Sequence, residues 1–188
     1  MLYGAQTPRR RDAQRNRSAI VAAASEAMTT SRPAVGMSEI ARRAGVGQAT
    51  LYRHFPDRDA LTAAVIGYQI ERLELLIEAG RDDPTCFRRV LGELLRTQIT
   101  MRPLVFLVRR MDARARRRFS QRVIAVLASP LRQAQESGLV RGDLVLGDLV
   151  LLFSMVEGVL GAAADTAAAR RSIDLALDGV FRASITVT

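Results

Sequence analysis

Met37-Ser38-Glu39-Ile40-Ala41-Arg42-Arg43-Ala44-Gly45-Val46-Gly47-Gln48-Ala49-Thr50-Leu51-Tyr52-Arg53-His54-Phe55 is the stretch that decides the fold. Ile40, Ala41 and Ala44 recur at helical spacing and make one buried face of a first short helix. Ala41 sits where two helix axes cross closely, and a larger side chain there would wedge them apart. Gly45 is the natural left-handed stop, Val46 turns into the core, and Gly47 serves as the N-cap of a second helix. On that helix Leu51 and Phe55 lie four apart and point inward. Ala49 and Arg53 face away, flanked by Thr50 and Tyr52, with Gln48 and His54 at the rims. Two short helices about a glycine turn form a helix-turn-helix, the unit that sets its second helix into a DNA groove.

The flanking sequence is helical on both sides. A first helix spans 12–29 with Ile20, Ala23, Ala24 and Ala27 as its inner stripe, and Thr30-Ser31-Arg32-Pro33 breaks it. Pro56-Asp57 ends the second motif helix, and Asp57 can cap a long helix over 58–79. Beyond a break at 80–84, helices are predicted over 85–101, 103–111, 113–137 (interrupted or bent near Pro130), 147–164 and 167–185, with Gly138 closing the arginine-rich 113–137 segment. No strand-type alternation is sustained and no hairpin dipeptide occurs, so the expected class is all-α.

The run Ile40-Ala41, Ala44-Gly45-Val46, then Ala49-Thr50-Leu51-Tyr52-Arg53-His54-Phe55, followed by Arg58 and Leu61, resembles the DNA-binding domain of TetR-type transcriptional regulators. The signature covers about residues 37–61, and the preceding amphipathic helix extends it to about residue 13. Met37 stands where the family usually has Thr, which caps the first motif helix and touches a phosphate; Ser38 can take over either job. Gly47 replaces a more usual Ser, and Arg58 a more usual Lys. The resemblance implies an N-terminal three-helix DNA-binding domain over 1–57 and a C-terminal helical effector-binding and dimerisation domain over 58–188.

Charge agrees with a nucleic-acid partner. The net charge is +9, and residues 1–60 hold ten Arg against five acids, +5. Pro8-Arg9-Arg10-Arg11, with Arg15 and Arg17, reads equally as a basic arm able to neutralise phosphates or reach into a minor groove and as a disordered, solvated tail. All the cationic residues are Arg, a bias that GC-rich coding produces and that assigns no function by itself. A second concentration, Arg109 to Arg122, has seven Arg and one acid, and reads as a solvated helix face in preference to a wall toward DNA or an anionic ligand. The single Cys excludes an intramolecular disulfide and fits a reducing cytoplasm. No secretory signal is visible. The longest apolar stretch, 144–164, carries Asp148 and Glu157 and so reads as a buried helix, with no membrane partner.

In the second motif helix, Gln48 can make paired hydrogen bonds to adenine, and Ala49 offers an apolar contact suited to the thymine methyl. Arg53 faces outward and could read guanine, while Arg58 would add a phosphate contact. The resemblance places Thr50, Tyr52 and His54 at positions that mostly touch phosphates, Tyr52 also being able to reach a base. His54 is the only histidine, and no P-loop, dinucleotide fingerprint or nucleophile elbow is present. No enzyme, metal or cofactor is therefore expected.

Leu149, Phe153, Val156 and Leu160 recur at helical steps in one late helix, and Ile173, Leu177 and Val180 in the next. A helix apolar over most of its circumference needs partners on several sides. The resemblance implies that these two helices pair with their twins in a homodimer. Met101, Phe106, Met111, Phe119, Phe153 and Met155 are large, flexible apolar residues that suit either an adaptable cavity wall or ordinary core. The resemblance implies a small-molecule effector among these middle helices, expected to be apolar or amphipathic, any anionic group meeting Arg102 or Arg109. The expected function is thus a repressor that an effector releases from a near-palindromic double-stranded DNA operator. The alternative is an architectural DNA-binding protein without ligand gating.

Overall fold

The computed structural model describes residues 8–30, 35–162 and 166–181. Ten helices and one isolated β-bridge make up the regular structure of these residues. They are α1 (Pro8–Thr30), α2 (Met37–Arg43), α3 (Gln48–His54), α4 (Arg58–Ala79), α5 (Cys86–Thr100), α6 (Arg102–Arg110), α7 (Ala113–Val126), α8 (Ala128–Glu136), α9 (Leu146–Ala162) and α10 (Thr166–Val180). The all-α expectation holds. The expected break at 31–33 and the expected helical residues 163–164 and 182–185 lie outside the described residues.

The chain packs as two compact units: residues 1–68 with 103–111, and residues 69–102 with 112–188. In the first unit α1, α2 and α3 pack on one another. The predicted α1 stripe of Ile20, Ala23, Ala24 and Ala27 is buried, as are Ile40 and Ala41 of α2 and Leu51 of α3. Helix α1 starts earlier than expected. Residues 8–11, expected in a separate arm, are helical and continuous with the rest of α1.

In the second unit α5 is central, packing on α8, α9 and α10. Its Cys86, Phe87, Val90, Leu91 and Leu95 follow the three- and four-residue steps of one face and join Leu127, Leu131, Leu149, Val156, Ile173 and Leu177 in one core. Phe87 and Phe181 pack with ring centroids 5.6 Å apart, and the Arg88 guanidinium lies 4.8 Å over Phe181 while donating to Asp178 at 3.1 Å. These contacts hold the end of α10, where Val140 and Phe181 form the isolated bridge. At the end of α8, Gly138 takes φ +75°, and the Leu139 N–H donates back to the Ala134 carbonyl at 3.0 Å.

The arginine-rich segment differs from expectation in where it breaks. The interruption falls at Leu127, between α7 and α8, and Pro130 is the third residue of α8. A proline inside a helix collides with the carbonyl four residues back, here that of Val126, the last residue of α7. Placed in the first turn of a new helix it loses no hydrogen bond, because N–H groups there have no intrahelical acceptor. The proline thus sets the break three residues ahead of itself.

Candidate nucleic-acid interface

The turn between α2 and α3 follows from one glycine. Gly45 has φ +66°, a conformation that costs a side-chain-bearing residue energy. Its N–H donates to the Arg42 carbonyl at 3.2 Å, and the Val46 N–H donates to the Ala41 carbonyl at 3.0 Å, closing the end of α2. Gly47 then caps α3 with extended backbone, and its carbonyl accepts from the Leu51 N–H at 3.1 Å. Neither Gly36 before α2 nor Gly47 before α3 supplies a side-chain cap. Ser38 lies inside α2 as its second residue, not at the cap, and its side chain is exposed.

Helix α3 has an inward anchor and an outward face. Leu51 and Phe55 are buried, and the Arg17 guanidinium of α1 stacks 4.9 Å over the Phe55 ring. Gln48, Ala49, Tyr52 and Arg53 are exposed, and Thr50 and His54 are half-buried. The His54 Nε2 is buried without a hydrogen-bond partner among the described residues. Ala44 and Val46, expected in the core, are half-buried.

Arg58 is placed differently from the α3 residues. It is half-buried, and its Nη2 donates to the Val35 carbonyl. With Ala27, Met28, Val35, Ile40, Pro103 and Leu107 it lines a recess with room for about one water. Helix α4 itself is capped as expected, the Asp57 carboxylate accepting from the Ala60 N–H at 2.7 Å.

A carboxylate clamp that the sequence reading missed lies on α2. Glu39 accepts from Arg42 through both carboxylate oxygens at 2.7 Å, and from Arg43 at 2.9 Å. The hydrogen bonds from Arg42 and then Arg43 pull the Glu39 carboxyl down to about 2. Its folded value is depressed, so the clamp's contribution is fully present above the ordinary value of 4.5 and disappears as pH falls toward about 2. The signal was in the sequence as Glu at i with Arg at i+3 and i+4. By holding two cations next to the turn with one negative charge, Glu39 cuts their net charge from +2 to +1 and limits the attraction to any duplex. Glu39→Gln is expected to raise affinity for random duplex DNA and to steepen its salt dependence by up to about two units of slope, at about 0.9 per phosphate contacted. Titration of a labelled random duplex across a salt series reads this directly; an unchanged slope would show that the freed arginines stay off DNA.

The residues assigned to an effector fall in both units. Phe106, Arg109 and Met111 belong to the first and Met101, Arg102, Phe119, Phe153 and Met155 to the second. Met101 and Met111 are buried, Phe119 and Phe153 half-buried, and Phe106, Arg109 and Met155 exposed. The Arg102 Nη2 donates to the Leu160 carbonyl at 2.9 Å, and Arg110 lies 5.6 Å over the Phe106 ring. None of the eight lines the recess beside Arg58. Sequence reading passed over Gln98 on α5, whose Nε2 is buried with no partner among the described residues. The only signal was an amide one turn from the apolar Leu94 and Leu95.

Of the residues assigned to a dimer interface, Leu149, Val156, Ile173, Leu177 and Val180 are buried within the subunit's own core, with Phe153 and Leu160 packed partly against it. The apolar side chains exposed on the same two helices are Val150, Leu151 and Met155 of α9 and Leu175 of α10.

An all-helical chain whose N-terminal helices hold a glycine-turned pair, the second helix anchored by two apolar residues and polar outward, is a helix-turn-helix DNA-binding protein. Residues 20–65 match the family described as bacterial regulatory proteins, tetR family. An HTH-type transcriptional regulator of Mycobacterium tuberculosis is 46% identical over 55 residues, 29% of this chain and 27% of that protein. The match thus spans about a quarter of that relative's length. The crystal structure of a TetR transcription regulatory protein from Mycobacterium vanbaalenii superposes with a TM-score of 0.68 at 28% identity, covering 93% of this chain and 100% of the other. The TetR regulator SCO0520 of Streptomyces coelicolor has a similar fold, with a TM-score of 0.63 at 24% identity over 89% of this chain and 99% of its own. Residues 20–65 thus carry a tetR-type DNA-binding domain, and the chain as a whole is similar in fold to solved TetR regulators. No helix among the described residues is long and apolar enough to cross a membrane.

Proposed function

We propose that this regulator is a cytoplasmic, homodimeric repressor that reads a near-palindromic operator through α3 and is released by a small-molecule effector. The observation that carries the reading is the split character of α3. Leu51 and Phe55 fix the helix to its unit, while Gln48, Ala49, Tyr52 and Arg53 stand free of the fold. Gln48 and Ala49 have the chemistry to read an adenine edge and a thymine methyl, and Arg53 that of a guanine edge. Ser38, Thr50 and His54 hold the register through phosphates. Arg58, engaged by the Val35 carbonyl, acts on DNA through the position of α3 and α4, or by exchanging that carbonyl for a phosphate. Residues 1–57 are the reading domain, and residues 58–188 carry effector binding and pairing.

A second copy is the natural cover for the exposed apolar row of α9 and α10. Leu151, Met155 and the exposed Gly158 follow at i, i+4 and i+7, and Gly158 permits close helix approach. Two-fold pairing places the two α3 helices about one duplex turn apart, roughly 34–36 Å.

The effector reading draws support from Gln98. A buried donor without an acceptor costs about 1–3 kcal/mol, and a ligand oxygen would remove that cost. RolR, a protein of similar fold at 22% identity, was solved in complex with the ligand resorcinol. An apolar or amphipathic effector that bears an acceptor suits the Gln98 amide and the apolar Met101, Phe119 and Phe153 of the same unit. Release by ~2.7 kcal/mol needs about a 100-fold preference for the DNA-free form. The test is operator binding by Gln48→Ala. Base reading predicts unequal losses among operator variants, whereas an equal loss on all of them would count against it.

A further inference from the structure

The arginine concentration at 109–122 has no place in operator reading, and the structure divides it. Arg109 and Arg116 are engaged within the chain, and Arg110 stacks on Phe106. Arg114, Arg117, Arg118 and Arg122 of α7 are exposed, and their guanidiniums form no hydrogen bond or ion pair among the described residues. Arg114, Arg118 and Arg122 follow at four-residue steps, with Arg117 one step round from Arg114. The side of α7 next to this row, one residue or about 100° round, is the packed one, with Ala115 buried and Phe119 and Val123 half-buried. Asp112 is the single carboxylate of the segment, and it caps α7 by accepting from the Arg114 and Ala115 N–H groups at 3.0 and 2.9 Å. With Arg116, five guanidiniums against the one carboxylate leave a net +4 over 112–122, along about 15 Å of helix.

Like charges at i and i+4 oppose helix formation, so the row does nothing for the fold of α7. The geometry points to a second DNA-binding surface on α7, which holds the phosphate backbone of duplex DNA without reading sequence, independently of α3. The ligand chemistry follows from the side chains. Guanidinium matches phosphate oxygens two at a time, and a row on one rigid helix presents its charges in a fixed line. A duplex carries one phosphate charge about every 1.7 Å of its axis, so a row of this length meets several whatever the sequence. Duplex DNA is the polyanion this family of proteins lives on, and a sequence-blind grip would hold the regulator on DNA while it is off its operator.

The experiment measures binding of the full-length protein to a random-sequence 30-base-pair duplex over a salt series. Arg114, Arg117, Arg118 and Arg122 are changed together to Gln, and separately to Lys. A third protein carries Gln48→Ala and Tyr52→Ala, which disable α3 and leave α7 untouched. The Gln variant is expected to lose about 10-fold or more in affinity at low salt and two to four units of salt slope, with unchanged helical circular dichroism. The Lys variant is expected to keep the slope, since charge is kept. The α3 variant is expected to keep most random-duplex binding, which separates this surface from operator reading. An unchanged slope in the Gln variant, or a preference of the wild-type row for single-stranded RNA over duplex DNA, would overturn the assignment.

Discussion

Leu51→Ala and Tyr52→Ala, one residue apart, are expected to destroy DNA binding by opposite routes. Leu51 is 0% exposed and Tyr52 48% exposed. Removing the Leu51 side chain leaves a cavity beneath α3 and costs about 2–5 kcal/mol. In a unit of short helices that is enough to melt α2 and α3 locally, and hydrogen exchange in 37–55 should accelerate together. Tyr52→Ala should change stability by no more than about 0.5 kcal/mol. It should nonetheless lose about 1–3 kcal/mol of operator affinity per subunit, roughly 5- to 150-fold. Denaturant melts beside operator titrations distinguish the two. Equal stability losses would mean that Tyr52 supports the fold, and intact operator binding by Tyr52→Ala would remove it from the interface.

A second pair of neighbours tests the assembly. Leu151 and Met155 are 61% and 62% exposed, whereas Leu149 on the same helix is 0% exposed. Leu151→Glu with Met155→Glu sets carboxylates where a twin helix would pack, and should yield folded monomers in sedimentation at unchanged helical content. Loss of the twin removes the second α3, so operator affinity should fall by about 10²–10⁴, the usual advantage of tethered binding. Leu149→Glu instead drives a charge into the subunit's own core at a cost of several kcal/mol, and should unfold the protein outright. A Leu151/Met155 double variant that stays dimeric would move the interface off this row.

What the sequence made legible was set by local physics. The left-handed Gly45, the inward pair Leu51 and Phe55, and the Asp57 cap each depend on a few adjacent residues, and each stands in the structure where spacing put it. The break at Leu127 was displaced from its cause because Pro130 acts on a carbonyl four residues back. Periodicity marks α9 as apolar around most of its circumference. It does not say that Leu149 and Val156 face α9's own subunit while Leu151 and Met155 face outward. That distinction depends on where α5 and α10 pack, which is a property of the whole fold. Arg58 shows the same limit, for its turn toward Val35 depends on a loop 23 residues earlier. The Glu39 clamp is the converse case: it was local, but attention to outward cations hid the carboxylate that pairs two of them.

The central claim is that α3 reads base sequence. It is tested most directly by selecting bound duplexes from a random library with the wild-type protein and with Gln48→Ala, in parallel. The account predicts that the wild type enriches a near-palindromic site whose half-sites are centred about 34–36 Å apart or a multiple of that spacing. Gln48→Ala should relax preference at symmetry-related positions and leave the others unchanged. Enrichment of the same site by both proteins, or of no site by the wild type, would contradict it.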